Sequence, residues 1–115
     1  YRLPLRYAGL LEGTIDAGIC CSTGIYGADA AIKMILAGAD TVQIVSALCA
    51  HGASHIRTMV SDMEQWMNSK NYKSLSDFRG KLSRRHLSDP WAYTRAQYAR
   101  LLMNPAESIK SSPVA

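Results

Sequence analysis

The sequence has few aromatic residues and no long hydrophobic run. Aromatics make up 8% of its 115 residues, with a single Phe. The longest weakly polar stretch, Thr41 to Ala50, is interrupted by Gln43 and Ser46. A bilayer-spanning helix needs about 20 consecutive apolar residues, so no membrane segment is expected. No basic region precedes an apolar one at the start, which argues against a secretion signal. Cysteine is scarce and odd in number, with Cys20 and Cys21 adjacent and Cys49 alone. Neighbouring strand residues point to opposite faces, so no disulfide framework is expected, and buried thiols in a reducing, cytoplasmic setting are. Charged residues, at 19%, are on the low side, while the 48% hydrophobic content is that of an ordinary folded domain.

The charge that is present is unevenly placed. Residues 1–71 carry five Lys/Arg (Arg2, Arg6, Lys33, Arg57, Lys70) against six acids, net −1. Residues 72–115 carry eight against three, net +5. Nucleic-acid binding would want basic residues clustered with stacking aromatics on one face. Only Arg84-Arg85-His86 is tightly clustered, and a solvated helix face or a subunit contact explains it better. No nucleic-acid partner is expected. The chain opens on Tyr1, directly into an amphipathic segment, as a piece of a longer protein would.

Periodicity organises the rest. Pro4 suits a first helical turn, and Leu5, Ala8 and Leu11 repeat at helical spacing before Gly13. Ala17 to Cys21 is a short apolar run closed by Ser22-Thr23-Gly24, a buried-strand pattern. A helix is expected from Ala28 to Ala37, with Ala31, Ile32, Ile35 and Leu36 as its stripe and Gly38 just past its end. Thr41 to Val45 reads as a second buried strand. A longer helix from about Gly52 to Asn68 shows Ile56, Met59, Val60, Met63 and Met67 on one face.

This alternation of strand and helix, with short loops, is that of parallel α/β structure. Past Asn71 the pattern becomes helical. Ser76 is placed to cap a short helix through Leu82. Asp89-Pro90 forms an N-cap and first-turn proline for a helix to about Met103, with Trp91, Thr94, Tyr98 and Leu101 or Leu102 on one side. The division expected is 1–71 for the strand–helix units, 72–104 for a helical extension and 105–115 for a flexible tail. Two parallel strands are marginal alone, and both read as apolar on both faces. Neighbours are therefore expected: the rest of a sheet or another copy of the chain, with homo-oligomer formation.

The chemistry concentrates at two strand ends read together, Cys20 to Ile25 and Gly38 to Ala47. In a (β/α)₈ barrel, of roughly 250 residues, the loops after the last two strands often form a phosphate site. Backbone N–H groups at a tight turn and a helix start converge on the anion, and the helix dipole adds positive character. Gly24 allows close approach. Ser46 adds a hydroxyl.

Here the sequence resembles a known family. Gly38-Ala39-Asp40-Thr41-Val42-Gln43-Ile44-Val45-Ser46-Ala47-Leu48 is similar to the last barrel strand of class 1 dihydroorotate dehydrogenases and of the dihydropyrimidine dehydrogenase flavin domain. Ser22-Thr23-Gly24-Ile25 resembles their preceding phosphate loop. Tyr72 to Lys81 resembles the short helix after the barrel, and Leu3-Pro4-Leu5-Arg6 the start of the sixth barrel helix. The likeness covers residues 3 to about 82. From Ser83 onward the tail resembles a bacterial dihydroorotate dehydrogenase-like branch.

The resemblance implies the C-terminal part, the last two strand–helix units, of a (β/α)₈ TIM barrel followed by extra helices. It implies an FMN-dependent oxidoreductase of pyrimidine-like rings. Thr23, Gly24, Val45 and Ser46 would hold the FMN phosphate, with Ser22 and Ala47 completing the cofactor-binding set. Thr23-Gly24 stands where the family has Gly-Gly, and Val45-Ser46-Ala47 where it has Gly-Thr-Ala. The family's catalytic base, its pyrimidine-gripping Asn residues and its flavin-contacting Lys lie on earlier strands. No catalytic residue is assigned here, and the isolated chain is expected to be inactive.

Other readings stay open. The chain could belong to a non-flavin barrel binding a phosphorylated metabolite, or be a helical module whose basic tail docks an acidic partner. Cys49 has only His51 nearby to activate it, so a structural thiol is favoured. His51 and His55, four apart, suit metal ligation by spacing, but the segment offers no third ligand and no intervening acid. Gln43, polar within an apolar strand, is expected to face the barrel interior. The methionines are simplest as core.

Overall fold

The computed structural model describes residues 2–103. Its order is α1 (Arg2–Leu11), β1 (Cys20–Cys21), α2 (Ala28–Ala37), β2 (Thr41–Val42), α3 (Ser46–His51), α4 (His55–Ser69), two single 3₁₀ turns at Leu75–Asp77 and Arg84–His86, and α5 (Pro90–Met103). The fold is helix-rich around a small two-stranded parallel sheet, compatible with the α/β class. The expected 105–115 tail lies outside the described residues, as do the side chains of Leu101 and Leu102.

α2 is the centre of the structure. It spans the residues its periodicity predicts and ends at Gly38, whose φ of +121° closes the helix with N–H bonds to the Met34 and Ile35 carbonyls. Burial, however, extends well beyond one stripe. Ala28, Ala30, Ala31, Ile32, Met34, Ile35 and Ala37 are all buried, while Leu36 is only half so. The reason is that α2 meets neighbours on several sides. Ala30, Ala31, Met34 and Ala37 pack toward β1, β2, α1 and Met59 of α4. Ala28, Ile32 and Ile35 pack against Phe78, with Trp66, Met67 and Tyr72 around them.

Phe78 anchors the second cluster. It is fully enclosed, 5.1 Å from the Trp66 ring and 5.4 Å from the Tyr72 ring between centroids. The segment after α4 thus returns to the back of α2, where Gly80 and Leu82 donate N–H bonds to the carbonyls of Ile35 and Leu36. Both carbonyls belong to the last turn of α2; that of Leu36 would otherwise lack a partner, and that of Ile35 adds Gly80 to the Gly38 N–H it already accepts.

The strands are shorter than their sequence pattern. Ladder pairing covers Cys20↔Thr41 and Cys21↔Val42 in place of Ala17–Cys21 and Thr41–Val45. Each strand has one neighbour among the described residues, so one side of each backbone is unpaired. Among the described residues only one face of each strand is covered. Ile19, Cys21, Val42 and Ile44 face the helices, whereas Cys20, Thr41, Gln43 and Val45 are exposed. Side chains alternate along a strand, and only one parity meets α2.

Three helical expectations also change. The segment after β2 divides into α3 and α4 at Gly52, which has φ +77°. On α4 only Met59 is buried, while Ile56 and Val60 are 44% and 50% exposed. Ser74, not Ser76, caps the turn at Leu75–Asp77: it forms a capping box with Asp77, and the turn ends at Phe78 where core packing takes over. α5 begins as expected. Asp89 Oδ1 accepts the N–H groups of Trp91 and Ala92 at 3.0 and 2.9 Å. Of its aromatic residues, Tyr93 rests on Gly9 of α1 while Trp91 and Tyr98 are each 63% exposed.

Candidate functional site: the paired strand tips

The parallel register sets the geometry of the site. Gln43 N–H donates to the Cys21 carbonyl at 2.8 Å, carrying the pairing one residue beyond the ladder. Adjacent strands lie about 4.8 Å apart, so the loops after β1 and β2 leave the same edge side by side. Ser22-Thr23-Gly24 and Val45-Ser46-Ala47 are therefore brought to one end of the sheet.

The first loop has an uncommon backbone. Thr23 and Gly24 have φ of +79° and +72°. Glycine takes this region freely, but for an L side chain the left-handed conformation costs about 1–2 kcal/mol. Two anchors hold it. Ile25, directly after, is buried at 3% exposure. The Tyr26 carbonyl lies 2.7 Å from His55 Nε2 and accepts its proton in the tautomer that carries hydrogen there. Strain of this kind persists where the surroundings over-determine it, and such positions cluster at binding sites.

Thr23, Val45 and Ser46 are exposed, and Ser22 and Gly24 half-buried. Ala47 is fully buried, backbone included. Among the described residues the amides of Thr23, Gly24, Ser46 and Ala47 donate to no acceptor. Neither Gly27 before α2 nor Val45 before α3 supplies a side-chain cap. The edge thus presents unfilled N–H donors and two hydroxyls, a set suited to a small anion rather than to proton transfer or nucleophilic attack.

The remaining candidates fall elsewhere or play other parts. Gln43 lies on the uncovered strand face. Cys20 and Cys49 are exposed, contrary to the expectation of buried thiols, because Cys20 has the parity that faces away from α2. Cys21 is buried, and burial first, then the neighbouring Cys20 charge, pushes its thiol above the ordinary range. His51 and His55 belong to different helices, α3 and α4, with ring centroids 4.8 Å apart. No group of three potential metal ligands occurs among the described residues. The role of His55 as a loop anchor was not visible in the sequence, since its partner lies 29 residues away.

No family model matches the chain. Part of it is similar to curated enzymes. It is 35% identical over 54 residues to the chloroplastic dihydropyrimidine dehydrogenase (NADP(+)) of Arabidopsis thaliana, covering 47% of this chain and 12% of that protein. It is 37% identical over 59 residues to dihydroorotate dehydrogenase A (fumarate) of Lactococcus lactis subsp. cremoris, and 36% over 59 residues to dihydroorotate dehydrogenase (fumarate) of Trypanosoma brucei brucei. Each of those matches covers 51% of this chain and 19% of the relative. The likeness thus lies with oxidoreductases of the dihydroorotate and dihydropyrimidine dehydrogenase type, and the chain spans less than a fifth of their length. No helix among the described residues is long and apolar enough to cross a membrane.

Proposed function

We propose that this chain supplies the C-terminal end of the barrel of an FMN-dependent oxidoreductase of the dihydroorotate dehydrogenase type, and that the paired strand tips seat the flavin phosphate. The reading rests on one observation above all: two adjacent parallel strands deliver Thr23-Gly24 and Ser46-Ala47 to one edge with unfilled amides and consecutive positive φ values. The partial likeness to dihydroorotate and dihydropyrimidine dehydrogenases supports it.

The residues suit the group in kind. A phosphate wants convergent N–H donors and hydroxyls, and Thr23 Oγ1 and Ser46 Oγ lie on exposed residues beside the free amides. Bound flavin would supply hydride chemistry, while this chain holds the phosphate end and orients the ring toward strands outside it. The uncovered face with Cys20, Thr41, Gln43 and Val45 is then the barrel interior, closed by further parallel strands. No residue of this chain is assigned a proton or hydride.

The test compares FMN with riboflavin, which lacks the phosphate, in the complete polypeptide carrying this segment. Flavin fluorescence should report FMN binding, with riboflavin about tenfold weaker or more, or at least about 1.4 kcal/mol. Ser46→Ala should weaken FMN and leave riboflavin unchanged. Equal affinity for the two flavins would remove the phosphate seat. Binding of inorganic phosphate without either flavin would favour the second reading, a seat for a different phosphorylated metabolite, which the Thr23 side chain in place of glycine favours by narrowing the approach.

A further inference from the structure

The outer face of α5 combines three side chains of the kind that dominate protein interfaces. Trp91 and Tyr98 are each 63% exposed, and Arg95 is exposed between them. Their spacing places all three on one side of the helix. Tyr93, on the opposite side, is seated on Gly9 of α1, where an added Cβ would come within 2.8 Å of its hydroxyl. The helix is thus held from behind and turns Trp91, Arg95 and Tyr98 outward. Arg84 extends the face, its guanidinium 5.2 Å from the Trp91 ring centroid. A single exposed aromatic is ordinary, but Trp, Tyr and Arg grouped together are the composition of interface centres.

A receptor of matching character lies on the same chain. A groove of about 500 Å³ opens between α2 and α4, with Ile32, Leu36 and Trp66 on its walls and Asp29, Lys33 and Asp62 on its lining. Asp29 is 3.3 Å from Lys33, which leaves Asp62 as the better placed acid. The charge of the two halves is complementary as well, net −1 for residues 1–71 and +5 for 72–115.

We propose that the Trp91–Arg95–Tyr98 face of α5 docks into the α2–α4 groove of a second copy of this chain. The rings cover the Ile32, Leu36 and Trp66 walls, and Arg95 meets Asp62. The Arg95–Asp89 pair within the chain, at 3.8 Å and exposed on both sides, is too weak to hold Arg95 back. The contact pairs two different patches: exchanged reciprocally it closes a two-fold dimer, and exchanged head to tail it runs on to a ring or a filament. It uses the helices, not the strand tips, and does not depend on flavin binding.

Sedimentation velocity of the full chain over a concentration series tests this, with circular dichroism as the check on folding. The wild type should associate with rising concentration. Asp62→Lys and Arg95→Glu should each shift the midpoint upward by about tenfold or more while keeping helicity. Mixing the two variants should restore assembly, because each then meets a complementary partner at both faces. Trp91→Ala/Tyr98→Ala should abolish it. A wild type monomeric at every concentration would overturn the proposal. So would single variants that associate like wild type, or a mixture no better than its components; association through the strand edges would give the former.

Discussion

The two ends of the strand pair are built in opposite ways. At the end where the strands begin, the carboxylates of Asp40 and Glu12 are met by donors within the chain. Asp40 Oδ2 accepts the Ile19 N–H at 2.8 Å and its Oδ1 meets Arg79 at 3.3 Å. Nearby, Glu12 lies over Gly38 and Gly80 and accepts the Ser83 hydroxyl at 2.7 Å. At the end where the strands finish, amides are left without acceptors, and a threonine is held in a left-handed conformation. In parallel barrels the first end carries stability and the second carries function. On the proposed reading, the same division means that substitutions at the two ends should differ in what they change.

The largest expected effect is at the closed side. Phe78→Ala removes a ring enclosed by Trp66, Tyr72 and α2, and large-to-small changes of this type cost about 3–5 kcal/mol. Against a typical domain stability of about 5–15 kcal/mol, urea denaturation should show a midpoint well below that of the wild type. Retention of the wild-type midpoint would mean the segment after α4 does not pack on α2. Next comes Gly38→Ala, which meets both a φ of +121° and overlap with the Glu12 side chain, for about 2–3 kcal/mol. Ser83→Ala follows at about 1–3 kcal/mol, because the Glu12 carboxylate, with a side chain only 20% exposed, loses its donor. None of the three should alter the preference for FMN over riboflavin once corrected for folded protein.

How much of this could be read from the sequence depends on how local each cause is. α2, its glycine stop and the Asp89-Pro90 start of α5 were fully legible, since caps and periodicity act within a few residues. The Thr23-Gly24 loop was legible as a turn, and its position beside Ser46 followed from parallel pairing. Strand lengths were not, because ladders are completed by neighbours and apolar pattern alone says nothing of how many are present. The orientation of α5 was not legible for a related reason. Trp91 and Tyr98 have the composition of a buried stripe, but Gly9 provides a recess only for Tyr93. The Glu12–Ser83 bond, spanning 71 residues, leaves no local trace at either position.

At the open end the sign of the stability effect should reverse. Thr23→Gly removes the left-handed penalty and should stabilise the chain by about 0.5–1 kcal/mol, less than the full strain because glycine gains unfolded-state freedom. Destabilisation instead would show that the threonine side chain holds the loop.

The smallest effect belongs to Asp77, which sharpens the comparison by lying on the closed side yet at the surface. Its carboxylate accepts N–H bonds from Lys73 and Ser74 at 2.7 and 2.8 Å, and these, Lys73 first, hold it below the usual carboxylate range. A carboxyl depressed in the folded state stabilises the fold above its unfolded value, near 3.9. That contribution fades as pH falls through the folded value. Asp77→Asn should therefore lower the thermal midpoint slightly at neutral pH, with the gap to wild type closing in acid. A gap that stays constant down to the acid limit would assign the effect to geometry at the Ser74 cap, not to charge.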